Sequence, residues 1–193
     1  MIYKFKLAIT IQTMITRAEL KEACDDALIK IEAAGIHLSE NERAKVTAAD
    51  FGLGRLKEEG IQILTMFDTE RVAGKILVLF PYQTIPEHWH PAVGKDPGKE
   101  EIIRAISGDL YFCIPGEDTV QHGFVLAGKE NCYTMRNEIV LLPGEQLILP
   151  PGTKHWFQAG ERGAVMYSFS TTVRDILDEF SDPDVVRETK IVD

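Results

Sequence analysis

The chain has 193 residues, 45% hydrophobic and 26% charged, with a formal net charge of -9. That size and composition fit one globular domain with a sizeable core and exclude a disordered chain. The acidic balance argues against nucleic acid or an anionic membrane as partner, since no basic stripe is available, and no apolar run approaches bilayer length.

Residues 1–13 read as an N-terminal extension. They carry Lys4 and Lys6 among apolar residues, without the long apolar core or small-residue cleavage site of a signal peptide. Residues 14–59 read as a small helical appendage. Thr16 and Glu19 form one capping box, and Leu20, Ala23, Cys24, Ala27, Leu28 and Ile31 follow at helical spacing up to a stop at Gly35. Ser39 and Glu42 form a second capping box, opening a short helix that ends before Phe51-Gly52-Leu53-Gly54. From residue 60 to 172 the pattern changes to short β-branched runs cut by Gly and Pro. The runs 61–67 and 72–80 flank a hairpin turn at Asp68-Thr69-Glu70, and further strands are expected at 102–106, 110–114, 138–142, 146–149, 155–158 and 164–170. Many short strands with frequent turns predict a mainly β sandwich or barrel. Residues 115–137 read as a long hairpin or loop, and 173–193 as an acidic arm or short helix. Cys24, Cys113 and Cys132 are odd in number, far apart and without a C-x-x-C pair, so reduced thiols in a cytoplasmic protein are expected.

Chemistry concentrates at His88-Trp89-His90. Two histidines one residue apart on a strand project to the same face, where two imidazoles can share a divalent metal. Glu101 follows His90 by eleven residues, and six residues separate it from Gly108. Later come Gly144, five residues, Pro150-Pro151-Gly152, two residues, and His155. Three imidazoles and a carboxylate suit Mn, Fe, Co, Ni or Zn. Glu100 competes with Glu101, but the spacing to Gly108 favours Glu101 and leaves Glu100 on the opposite strand face. His37 and His122 have no such partners and read as loop or surface residues.

These spacings resemble the two halves of the cupin signature, G-x5-H-x-H-x3-4-E-x6-G and G-x5-P-x-G-x2-H-x3-N. The chain departs from it in three places: Tyr82 stands for the first Gly, ten residues separate His90 from Glu101, and Ala159 stands for the final Asn. The resemblance implies a jelly-roll β-barrel and a metal held by His88, His90, Glu101 and His155. The strings 51–54, 80–91, 98–101, 143–146, 148–161 and 180–183, with Lys154-His155-Trp156-Phe157-Gln158-Ala159-Gly160-Glu161 the most specific, resemble the D-lyxose isomerase family over nearly the whole chain after residue 14.

That resemblance implies interconversion of D-lyxose and D-xylulose, and often of D-mannose and D-fructose, with Mn(II) commonly preferred and a free sugar as partner. An enediolate reaction of this kind needs a Lewis acid, a proton carrier and a cation near the carbonyl oxygen. Lys99 and Lys95, on the insertion between His90 and Glu101, are the cationic candidates. The family implies an acid from the C-terminal arm; Glu188 is the choice, with Asp175 and Asp193 as rivals, and Glu101 can double as base. A homodimer is expected. An iron-dependent cupin dioxygenase and a non-catalytic sugar-binding cupin are the alternative readings.

Overall fold

Thr16 starts the first helix as the sequence predicts. Its hydroxyl accepts from the Glu19 amide at 3.1 Å, and the Glu19 carboxylate accepts from the Thr16 amide at 2.7 Å. The computed structural model describes residues 14–171 and 175–193, so the extension expected over 1–13 lies outside the described residues. A two-residue strand β1 (Ile15–Thr16) leads into α1 (Arg17–Ala33), which turns Ala23, Ala27 and Ile31 inward. The second capping box opens only one turn, α2 (Glu40–Arg43). The chain then becomes extended in β2 (Thr47–Ala49), which pairs with the next strand. The segment read as a helical appendage therefore also supplies a strand to the main sheet.

Eight longer strands follow: β3 (Ile61–Asp68), β4 (Val72–Leu79), β5 (Thr84–Trp89), β6 (Glu101–Ser107), β7 (Leu110–Ile114), β8 (Asn137–Leu141), β9 (Gln146–Leu149) and β10 (His155–Ala159). β11 (Ala164–Thr171) then runs between β4 and β6. The C-terminal segment adds β12 (Glu179–Phe180) and β13 (Ile191–Val192), the latter parallel to β1.

Two antiparallel sheets carry the fold, in the orders β2-β3-β4-β11-β6-β9 and β12-β5-β10-β7-β8. The mainly β, jelly-roll architecture is as expected, though as a pair of sheets rather than a closed barrel. Among the described residues no ladder joins one sheet to the other, so the sheets face each other across a side-chain core without closing. That core holds Leu77, Leu79, Ile85, Ile103, Leu110, Phe112, Phe157 and Met166. On the outer side of the six-stranded sheet, Leu64, Ile76, Val78 and Val165 pack against Ala27 and Ile31 of α1.

Gln62 belongs to the same outer face. It is fully buried, and neither its amide nitrogen nor its amide oxygen has a hydrogen-bond partner. An unsatisfied buried amide costs about 1–3 kcal/mol. Gln62→Leu is therefore expected to stabilise the protein by about 1–2 kcal/mol, seen as a higher urea midpoint at unchanged slope.

One irregularity positions the site. β10 pairs with β5 through His155 opposite His88 and Phe157 opposite Ile85. Trp156 on β10 thus opposes two residues on β5, a bulge at Pro86-Glu87. Strict alternation from Ile85 would turn Glu87 inward; the bulge turns His88 inward instead and sends Glu87 out.

Candidate active site

His88, His90 and His155 converge at one end of the space between the sheets, their donor nitrogens all within 4.8 Å of one another. The backbone sets two of the rings. His88 Nδ1 lies 2.8 Å from the Pro86 carbonyl and His155 Nδ1 2.8 Å from the Thr153 carbonyl. Each Nδ1 therefore donates and each Nε2 is left as a lone-pair donor. His155 Nε2 is buried without a partner. His90 is held by a side chain, with Nδ1 2.6 Å from Asp178 Oδ1. Three buried imidazoles, one with an orphaned nitrogen, fit a divalent cation, and the histidine-to-carbonyl and histidine-to-carboxylate contacts are those that orient metal ligands. Glu101 abuts this cluster, its Oε2 3.2 Å from His90 Nε2, while its Oε1 accepts from the Ser168 hydroxyl.

Lys99 is 10% exposed, its ammonium 3.5 Å from Glu101 and 3.6 Å from Asp175. Asp175 also accepts from Lys75 at 2.5 Å and lies 3.2 Å from Arg187. Arg187 in turn lies 3.6 Å from Asp178 Oδ2. Phe51, Ile61, Ile63, Phe157 and Phe180 complete the cavity wall.

The loop 50–54 builds part of that wall. Phe51 has a left-handed backbone, φ 55, and the Asp50 carboxylate accepts from the Gly52 and Gly54 amides. A Cβ on Gly52 would stand 2.8 Å from Val186 Cβ, so glycine lets the C-terminal segment pass. Tyr82, which replaces the first glycine of the cupin pattern, keeps a left-handed backbone, φ 59. The insertion 91–100 folds back on its own start. Gly98 has φ 99, and a Cβ there would come within 2.4 Å of the His90 carbonyl.

Of the other expected residues, Lys95 and Glu188 are exposed and line no part of the cavity. Lys95 lies in the outward turn of the insertion, and Glu188 faces away beside Arg187, which points in. Asp193 pairs with Arg17 near the start of α1. Asp175 does reach the cavity. Sequence reasoning missed Lys75, Asp178, Arg187 and Ser168. Lys75 carried a signal, being a cation on the inward register of an otherwise apolar strand with Leu77 and Leu79. Asp178 and Arg187 carried none.

Burial and neighbouring imidazoles hold His88 well below the ordinary histidine range, and burial brings His155 down to about 4. Burial opposes charge on His90 too, but the Asp178 and Glu101 carboxylates outweigh it and raise its pKa. Glu101 is held well below the usual carboxylate range: burial works against its ionisation, and Lys99 and His90 overcome that. Below pH 6.5 the unfolded chain protonates at positions 88 and 155 before the folded apoprotein does. Apoprotein stability is thus expected to fall as pH drops from 6.5 towards 4, by about 3 kcal/mol for His155 alone, with His90 offsetting part. Urea denaturation of metal-stripped protein across that range checks it.

The D-lyxose isomerase family model matches residues 45–193. A D-lyxose ketol-isomerase of Cohnella laeviribosi is 48% identical over 170 residues, 88% of this chain and 93% of that protein. A D-lyxose/D-mannose isomerase of Thermosediminibacter oceani is 41% identical over 181 residues, 93% of this chain and 100% of that protein. Among solved structures, the L-ribose isomerase of Cellulomonas parahominis superposes with a TM-score of 0.75 at 16% identity, covering 94% of this chain and 100% of that one. At that identity the likeness concerns the fold, a cupin-type sheet pair. The chain belongs to the D-lyxose isomerase family and is a sugar isomerase.

Proposed function

We propose that this aldose–ketose isomerase is metal-dependent and interconverts D-lyxose and D-xylulose, with D-mannose and D-fructose as a second pair. The observation that carries the metal dependence is the buried three-imidazole cluster with the unpartnered Nε2 of His155. The names of the Cohnella and Thermosediminibacter relatives support the two sugar pairs. His88, His90 and His155 would hold the ion, with Glu101 as the fourth donor. Mn(II) is the proposed metal, and Zn, Co, Fe and Ni suit the same donors. When bound, such an ion supplies Lewis-acid stabilisation of negative charge on the sugar's O1 and O2 oxygens.

The chain's own residues then account for proton movement. One proton leaves C2 and one is delivered to C1, while the hydroxyl proton moves from O2 to O1. Asp178, at the cavity wall, replaces Glu188 as the proposed carrier between the carbons. The Lys99 ammonium offsets charge at the oxygens, with Lys75 and Arg187 keeping Asp175 ionised beside it. Phe51, Phe157 and Phe180 limit water at the reacting carbons.

Metal-stripped protein is expected to be inactive on D-lyxose and to regain D-xylulose formation on adding Mn(II). Equal activity before and after stripping would refute metal dependence, and oxygen consumption during turnover would point to the dioxygenase reading. A homodimer is proposed through the exposed apolar residues Phe67, Val72 and Phe169 of the six-stranded sheet, testable by sedimentation. The three free cysteines support a reducing, cytoplasmic setting.

A further inference from the structure

The bulge at Pro86-Glu87 leaves a fully buried carboxylate on the reverse side of the metal-site strand. Glu87 Oε2 accepts from the amides of Thr134 and Met135 at 2.5 and 2.7 Å. Its Oε1 accepts from the hydroxyls of Thr134 at 2.7 Å and Ser181 at 2.5 Å. The Lys154 ammonium lies 3.8 Å from Oε1, donates to Ser181 Oγ at 3.2 Å, and sits 4.4 Å over the Trp89 ring. One acid thus ties together the long loop, the C-terminal segment and the residue preceding His155.

The C-terminal segment needs such a tie. β12 has two residues, Glu179 opposite Trp89 and Phe180 opposite His88, and the ladder ends with the Ser181 amide donating to the Glu87 carbonyl at 3.0 Å. So short an edge strand carries little stability of its own. Yet it presents Asp178 to His90 Nδ1 at 2.6 Å and lays Phe180 on the His88 ring, centroids 5.7 Å apart.

We propose that Glu87 is a positioning residue: by gripping Ser181 from behind the strand, it sets Asp178 against His90 and Phe180 against His88. The consequence for the metal rests on the reading under Proposed function; the consequence for the segment does not. The partners that orient a ligand histidine are worth about 10–100-fold in metal affinity, and displacing Asp178 removes one.

The test compares Ser181→Ala, which removes the hydroxyl's contacts with Glu87 and Lys154, with Ser181→Thr, which restores the hydroxyl, and with Glu87→Gln. Hydrogen exchange of metal-free protein is expected to quicken at residues 175–187 in Ser181→Ala, with the core strands unchanged. Mn(II) titration of the apoprotein is expected to show about tenfold weaker binding in Ser181→Ala and near wild-type binding in Ser181→Thr. Glu87→Gln should show both defects more strongly; if it fails to fold, the two Ser181 variants decide. Wild-type exchange at 175–187 in Ser181→Ala would overturn the proposal. So would faster exchange with undiminished Mn(II) affinity, because the grip would then not reach the histidines. A wild-type protein that binds no Mn(II) would instead overturn the metal-dependent reading, with the exchange result standing separately.

Discussion

His155→Leu is expected to remove metal-dependent turnover almost completely. The imidazole is fully buried, its Nδ1 fixed on the Thr153 carbonyl and its Nε2 unpartnered among the other two rings. Leucine fills similar space and supplies no donor. Losing a proposed ligand should cost more metal affinity than the roughly 10–100-fold attached to the outer partners of ligand histidines. Lewis-acid stabilisation worth several kcal/mol corresponds to a loss of about 10³-fold or more in kcat/KM. The fold is not expected to suffer in step. Burial already depresses the pKa of this imidazole, and near pH 5 the wild-type apoprotein gives up stability that the leucine variant keeps. A variant without activity, without bound Mn(II) and with undiminished apoprotein stability near pH 5 is the expected combination. Substantial turnover with metal still bound would remove His155 from the site.

Lys99→Met is expected to lower kcat by about 10²–10³-fold. Methionine keeps much of the aliphatic stem and removes the ammonium lying between Glu101 and Asp175. The ammonium is also a large part of what holds both carboxylates below their usual range. Removing it should not weaken cation binding at the neighbouring cluster, because one positive charge fewer repels the ion less. The signature is therefore a fall in kcat with Mn(II) affinity equal to or tighter than wild type, unlike the histidine variant. Lys95→Met and Glu188→Gln serve as controls. Both residues are exposed and outside the cavity, so their kcat is expected to stay within about twofold of wild type, as usual for surface changes. A damaging Lys95→Met with a silent Lys99→Met would reverse the assignment.

Much of this arrangement was legible in the sequence because it is local. Capping boxes, β-branched runs and Gly-Pro turns mark strands and helices within a few residues of themselves, and the H-x-H pair needs only the strand repeat to share a face. The bulge was not legible. Ile85 and His88 both face the cavity, which no strict alternation allows, and the extra residue shows only once β5 is paired with β10.

The long segment 115–136 resisted reading for a related reason. It is held less by a ladder than by buried acids: Glu138 accepts from the amides of Gln121, His122 and Gly123, Glu59 from the Tyr133 hydroxyl, and Glu87 from Thr134 and Met135. Such contacts leave no periodic trace. The C-terminal acids read as a solvated arm because their counterions, Lys75, Lys99 and Arg187, are distant in sequence or sign-mixed within it. Lys75 alone could have been found, as a cation at a core position of β4.

The most direct test of the account is to follow Mn(II)-loaded protein and D-lyxose in deuterated water. Proton transfer between C2 and C1 by a cavity carboxylate, with the proton exchanging in part with solvent while the acid holds it, predicts D-xylulose of which a fraction carries deuterium at C1, formed only when metal is bound and not formed by His155→Leu. No turnover of D-lyxose or any other aldose by the loaded protein would contradict the account, and so would ketose formed without any label at C1.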